Sequence, residues 1–270
     1  MMKLSEHKRR LIQLFCALLY NCNFTGFAKG EIYQGKLKGA CVPGLNCYSC
    51  PGALGACPLG SLQSALVSAK YRVNYYILGV LILFGVLFGR VICGFLCPFG
   101  LIQELLYKIP TKKVKKGTWS QVLSYLKYVI LAIFVIVIPL IKFVPGFCKY
   151  ICPAGTLEGG LTLTAMKEQL AALTGSLFVW KVVVLLVIMV SAVLVFRCFC
   201  RFLCPLGAIY SLFYKVSICG IKVDESKCIG CNICVRECKL DVKKVGDREC
   251  VHCGECKGHC PVDAISYKKY

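Results

Sequence analysis

Eight cysteines near the C-terminus fall into two runs, Cys228-x2-Cys231-x2-Cys234-x3-Cys238 and Cys250-x2-Cys253-x2-Cys256-x3-Cys260-Pro261. Thiols at this repeated spacing are the ligand set of two 4Fe–4S cubes. The short steps wrap three thiolates around one cube, and the fourth cysteine of each run reaches the other. Cys228, Cys231, Cys234 and Cys260 are therefore assigned to one cluster, and Cys250, Cys253, Cys256 and Cys238 to the second. Lys239 stands where a proline usually follows the first run. Paired CxxC steps also suit zinc, but three cysteines at two successive x2 steps, twice over, favour cubes. The chemistry this implies is single-electron transfer.

A second set of cysteines sits in an internal repeat. Residues 90–108, RVICGFLCPFGLIQELLYK, match residues 197–215, RCFCRFLCPLGAIYSLFYK, at an offset of 107. Each carries a CxxxCP step, Cys93/Cys97 and Cys200/Cys204. Residues four apart share a helix face, the proline suits a helix's first turn, and the glycine two residues later lets a bulky cofactor approach. Two such pairs brought together supply four thiolates, enough for a third cube.

A weaker echo links Cys57-Pro-Leu-Gly-Ser-Leu to Cys152-Pro-Ala-Gly-Thr-Leu, with Cys41, Cys47, Cys50 and Cys148 nearby. The repeat groups Cys57, Cys148 and Cys152 with Cys50 or Cys47. Alternatively, Cys41, Cys47, Cys50 and Cys57 bind a cluster by themselves. A disulfide is the third option if this side faces an oxidising compartment. Cys16, Cys22, Cys198 and Cys219 fit no ligand spacing and read as packing residues.

The elements that must position these thiols are apolar. Of the 270 residues, 57% are hydrophobic. Charge is absent from residues 11–28, 73–89, 128–141 and 182–196, and Lys127 and Lys181 at block ends are expected to snorkel to headgroups. The expected fold is an α-helical membrane protein of four transmembrane helices, arranged as two parallel-repeat hairpins. A small α+β ferredoxin domain follows. The boundaries are 1–218 for the membrane domain, with hairpins at about 8–110 and about 118–216, and 219–270 for the ferredoxin domain. Lys8-Arg9-Arg10 before the first block also resembles a signal peptide, but no small-x-small site follows, so an uncleaved helix is expected. Four Lys/Arg in residues 1–10 and six in 90–121, against three in 142–176, place the N-terminus and the ferredoxin domain in the cytoplasm.

Other chemistries are excluded. The formal charge of +20 overcounts, because each oxidised cube with four thiolates carries roughly −2. The remainder flanks membrane segments, which suits anionic lipid and acidic electron carriers, and no nucleic-acid motif occurs. The three histidines, His7, His252 and His259, lie outside the spans, so a haem b held by two histidines is ruled out. No dinucleotide, phosphate-loop or nucleophile-elbow motif is present. Glu104 and Glu158 each follow a CxxxCP. Each is either a proton acceptor near a quinone or a polar helix face.

The stretch NCYSCPGALGACPLG, three CxxxCP sites and the double-cube C-terminus together resemble the NapH/NosR/CcoG group of membrane polyferredoxins, and the layout is closest to NapH. The resemblance implies a multi-pass protein of a bacterial cytoplasmic membrane, serving as the electron-transfer subunit of an oxidoreductase. Its electrons would pass between a cytoplasmic ferredoxin, a dehydrogenase or quinol and an extracytoplasmic flavin or metal protein. Any covalent flavin is expected on a partner, since the large flavin domain of NosR has no counterpart here. The alternative is a maturation or regulatory factor that reduces a metal or thiol centre of a client enzyme.

Overall fold

The computed structural model describes residues 6–68, 75–114 and 117–268. Val73 and Asn74, which open the second apolar block, and Lys115-Lys116 lie outside the described residues. The protein is mostly helical. Two helices are long and apolar enough to cross a membrane, Trp119–Lys142 and Ser176–Leu194. The first two blocks form shorter helices, α1 (Glu6–Tyr20) and, after α2 (Pro58–Val67), α3 (Tyr75–Leu87). Next come α4 (Pro98–Tyr107), α5 (Trp119–Lys142), α6 (residues 153–166), α7 (Ser176–Leu194) and α8 (Pro205–Leu212).

Burial in this part is inverted relative to a water-soluble domain. Leu14, Phe15, Leu18 and Leu19 of α1, Leu78, Ile82 and Leu83 of α3, Ile133, Ile136 and Leu140 of α5, and Leu186, Val187 and Val190 of α7 are exposed. Arg9, Gln13, Gln63, Arg90, Gln103, Glu104, Lys127 and Arg197 are buried. Apolar faces of this extent are rare on the surface of a water-soluble monomer. Lys127 departs from expectation: it is fully buried and its Nζ lies 2.7 Å from both carboxylate oxygens of Glu249. Snorkelling would leave that carboxylate short of a cation, so the ion pair takes the lysine inward.

The four CP helices start alike. Cys57, Cys97 and Cys204 are the N-cap residues of α2, α4 and α8, each followed by proline at the first helical position, and Cys152-Pro153 opens α6 in the same way. At this position a proline costs no helical hydrogen bond. The cap sulfur instead lies near free N–H groups of the first turn, Gly207 N–H to Cys204 Sγ at 3.4 Å and Gly155 N–H to Cys152 Sγ at 3.3 Å.

The C-terminal module is closed by an antiparallel pair, β1 (Ile221–Val223) and β2 (Ile265–Tyr267), in the register Ile221↔Tyr267. It packs on the end of the helical part formed by the start of α1, the segment after α3 and the start of α5. Its Glu249 binds Arg90 Nη1 at 3.0 Å as well as Lys127. Arg201 Nη2 stands 3.6 Å from Asp241, whose carboxylate also accepts from Ser120. A Cβ on Gly94, inside CGFLC, would collide with the Val251 carbonyl oxygen; only glycine permits so close an approach.

Candidate iron–sulfur sites

Among the described residues, four cavities are each lined by four or more cysteines. In the C-terminal module, Cys228, Cys231, Cys234 and Cys260 line one. Cys238, Cys250, Cys253 and Cys256 line a second, at whose edge Cys234 also stands. The tight turns around these thiols need left-handed backbone at Gly230, Asn232, His252 and Gly254, a conformation that glycine and asparagine adopt at least cost. His252 is buried there. Its Nδ1 accepts the Ile221 N–H at 3.0 Å, and burial, with Arg90 and Lys268 nearby, lowers its pKa to about 4. It is a neutral strut for the strand, while His259 is exposed.

In the helical part, Cys93, Cys97, Cys200 and Cys204 line a narrow void closed by Phe99, Phe199, Leu45 and Tyr210. All four thiols are buried. They come from two segments about a hundred residues apart, as the repeat requires. Cys47, Cys57, Cys148 and Cys152 line a larger cavity of about 660 Å3. Of the two candidates Cys47 and Cys50, it is Cys47 that lines this cavity with the other three. Cys50 is buried beside it, and Cys41 is turned toward Ser61 at 3.8 Å. Cys198 packs with its Sγ 3.6 Å from the Ile188 carbonyl, as a packing residue would.

Each set supplies the four thiols that one 4Fe–4S cube takes. Among the described residues no three His, Cys, Asp or Glu side chains converge on one metal ion. Burial pushes the Cys47, Cys57 and Cys97 thiols up to about 12, so loading must expel protons. Buried cations stand ready to offset the resulting negative charge. Arg197 and Arg90 both act electrostatically on Cys93 and Cys200, and the Arg197 guanidinium donates to the Cys93 carbonyl at 2.5 Å.

Glu104 anchors this arrangement. Its carboxylate accepts from Arg9 at 2.7 and 2.8 Å and from Arg197 at 2.8 Å, and it is 1% exposed. Burial alone would raise its pKa, but Arg197 and Arg9 hold the carboxyl down at about 2. The carboxylate is thus held as an anion between the two guanidinium groups. Glu158 differs: burial pushes it up to about 7, against the pull of the Cys47 N–H that it accepts at 2.6 Å.

Sequence spacing found the thiols but not the arginines, which precede each CxxxCP by three residues within the repeat, nor Gln63 and Gln103, six residues beyond Cys57 and Cys97. The shared Arg90/Arg197 identity was the available signal.

One 4Fe–4S binding domain family matches the chain three times, at residues 73–117, 127–167 and 177–222, one match around each CxxxCP. A second 4Fe–4S binding domain family matches residues 221–244 and 245–266. Among curated proteins, two uncharacterized proteins of Methanocaldococcus jannaschii are similar. MJ0749 is 31% identical over 57% of this chain and 53% of its own length, and MJ0750 is 31% identical over 69% and 74%. The methylamine utilization ferredoxin-type protein MauN of Methylobacillus flagellatus is 25% identical over 85% of this chain and 74% of its own length. The chain thus spans about half of the first of these relatives and three quarters of the other two. No solved structure matches it. With two thirds of MJ0750 and more aligned, and both 4Fe–4S patterns falling on the thiol-lined cavities, the chain belongs to the polyferredoxin-like family of ferredoxin-type electron-transport proteins.

Proposed function

We propose that this chain is a membrane-embedded electron relay of four 4Fe–4S clusters. Cys228, Cys231, Cys234 and Cys260 would hold the outermost, and Cys238, Cys250, Cys253 and Cys256 the next. Cys93, Cys97, Cys200 and Cys204 would hold the third, and Cys47, Cys57, Cys148 and Cys152 the fourth. When bound, such clusters store and release single electrons.

The observation that carries this reading is the continuity of the four cavities. Cys234 borders both cavities of the C-terminal module. Val251 lines the second, and its carbonyl oxygen abuts Gly94, the neighbour of Cys93. Leu45 lines both helical cavities. Neighbouring cavities share a lining residue or meet through Val251 and Gly94, so the relay would need no single jump across a hydrocarbon core of roughly 30 Å. The polypeptide's work is to hold the thiols, shield them from water and place Arg90 and Arg197 against the added negative charge.

The exposed apolar faces of α1, α3, α5 and α7 support four spans. The basic start of α1 and the basic 90–121 segment lie at the ferredoxin end, which supports a cytoplasmic position for that module and for both termini. Residues 1–218 and 219–270 then act as membrane and ferredoxin units. Cys228 and Cys231 are exposed, so a cytoplasmic ferredoxin or dehydrogenase would exchange electrons there. The cavity around Cys47 would face a quinone or an external flavin or metal protein.

Iron and sulfide analysis of anaerobically purified protein tests the assignment. About sixteen irons per chain are expected, four per cube, and Cys97→Ser with Cys204→Ser should remove about four. About eight irons, unchanged by that pair of substitutions, would reduce the protein to a tethered two-cluster ferredoxin.

A further inference from the structure

Gln63 and Gln103 hold equivalent places in the first hairpin, and both are fully buried. The Oε1 of Gln103 accepts the Phe199 N–H at 3.0 Å, and its Nε2 lies 3.0 Å from Cys200 Sγ. Gln63 repeats the arrangement, accepting the Phe147 N–H at 2.9 Å with Nε2 3.1 Å from Cys148 Sγ. In each case the carbonyl end grips the backbone just before the cysteine, which leaves only the NH2 end to face sulfur. The second N–H is taken up as well, by Phe99 O at 3.3 Å and Leu59 O at 3.4 Å. The amide therefore has no freedom to turn.

The corresponding positions of the second hairpin, Glu158 and Tyr210, do something else. Glu158 accepts the Cys47 N–H, and Tyr210 donates to the Pro43 carbonyl at 2.9 Å. Both hold the first connection, from which Leu45 projects between the two cavities. Among the described residues only the first hairpin aims a side-chain amide at sulfur, and it does so once in each helical cavity.

We propose that Gln63 and Gln103 are tuning residues, each donating a hydrogen bond to one ligand sulfur of a membrane cluster and thereby raising that cluster's reduction potential. The inference rests on the ligand sets proposed above. An N–H directed at a ligand sulfur stabilises the more negative, reduced cube more than the oxidised one, and such bonds are a main lever on cluster potential. A purely structural side chain at these sites would need no donor, and a buried donor left without a partner is destabilising.

The test is an EPR-monitored redox titration of the intact protein and of Gln103→Met and Gln63→Met, with iron counted in each. Each variant is expected to move one midpoint to more negative potential, a different one in each, leaving the others in place. Full iron with every midpoint unmoved overturns the inference and leaves the relay standing. About eight irons in the unmodified chain overturns both. Should either variant lose iron, pulsed EPR of the unmodified protein carrying 15N in its glutamine side chains decides. Nitrogen coupling on two reduced clusters is expected, and its absence overturns the inference.

Discussion

The ferredoxin module and the helical part solve the same ligand problem with opposite resources. In the module, all eight thiols come from one stretch, residues 228–260. Short loops shape them, and several are partly or fully open to solvent. In the helical part, each set of four joins segments about a hundred residues apart, every thiol of the inner set is buried, and charged side chains hold the segments together. Local spacing makes a site that can assemble before the rest of the chain is in place. A site split between hairpins exists only once they have packed, and in exchange it is shielded from water.

The comparison breaks most visibly if cysteines are removed in matched pairs. Cys228→Ser with Cys231→Ser should lose about four irons and spare the sets of the helical part. Cys97→Ser with Cys204→Ser should lose as many and also loosen the hairpins, read as earlier thermal unfolding. Equal thermal behaviour of the two variants would erase the distinction.

Next in size is the buried anion. Glu104→Ala leaves Arg9 and Arg197 facing each other without a counter-charge, and loss of one partner from such a buried set costs about 3–5 kcal/mol. Denaturation followed by near-UV circular dichroism should show the loss in the helical part. A change below about 1 kcal/mol would mean the pair is solvated.

The same residue gives a pH signature. Its carboxyl lies near 2 in the folded chain rather than at its ordinary 4.5. The stabilisation is therefore fully present above about 4.5 and lost as pH falls through about 2, roughly 3 kcal/mol in all. Glu104→Gln should flatten stability over that window. An unaltered acid profile would place the acid sensitivity elsewhere.

Smaller still is the contact that Arg201 and Asp241 make between the two regions. They are 3.6 Å apart with side chains only 6% and 14% exposed, and Arg201 also donates to Ser120 Oγ at 2.9 Å. Arg201→Gln should cost about 1–3 kcal/mol by leaving buried polar partners unmatched. Gly94→Ala, which drives a methyl group into the Val251 carbonyl, should likewise cost about 1–3 kcal/mol by overpacking and slow electron exchange between module and helical part. Limited proteolysis and stopped-flow reduction would separate the two effects.

Much of this was legible in the residues alone. The double-cube spacing, the CxxxCP pairs and the helical character follow from local rules, because a thiolate set on one turn and an apolar run both declare themselves within about twenty residues. Lys127 was misjudged as a snorkelling residue because nothing near it in the chain announces Glu249, 122 positions later. Cys47 could not be chosen over Cys50 by spacing, since both lie in the same short loop and only the packing of the second hairpin selects between them.

The sequence by itself determined the cysteine motifs, the repeat and the apolar segments that carry it, since each is a property of neighbours along the chain. The tertiary structure decided which thiols share a cavity, that Arg90, Arg197 and Glu104 are buried beside them, that Gln63 and Gln103 face sulfur, and that Leu45 lines both helical cavities. Those are relations between residues far apart in the chain, and they come into being only when the hairpins close on each other and bury their polar groups together.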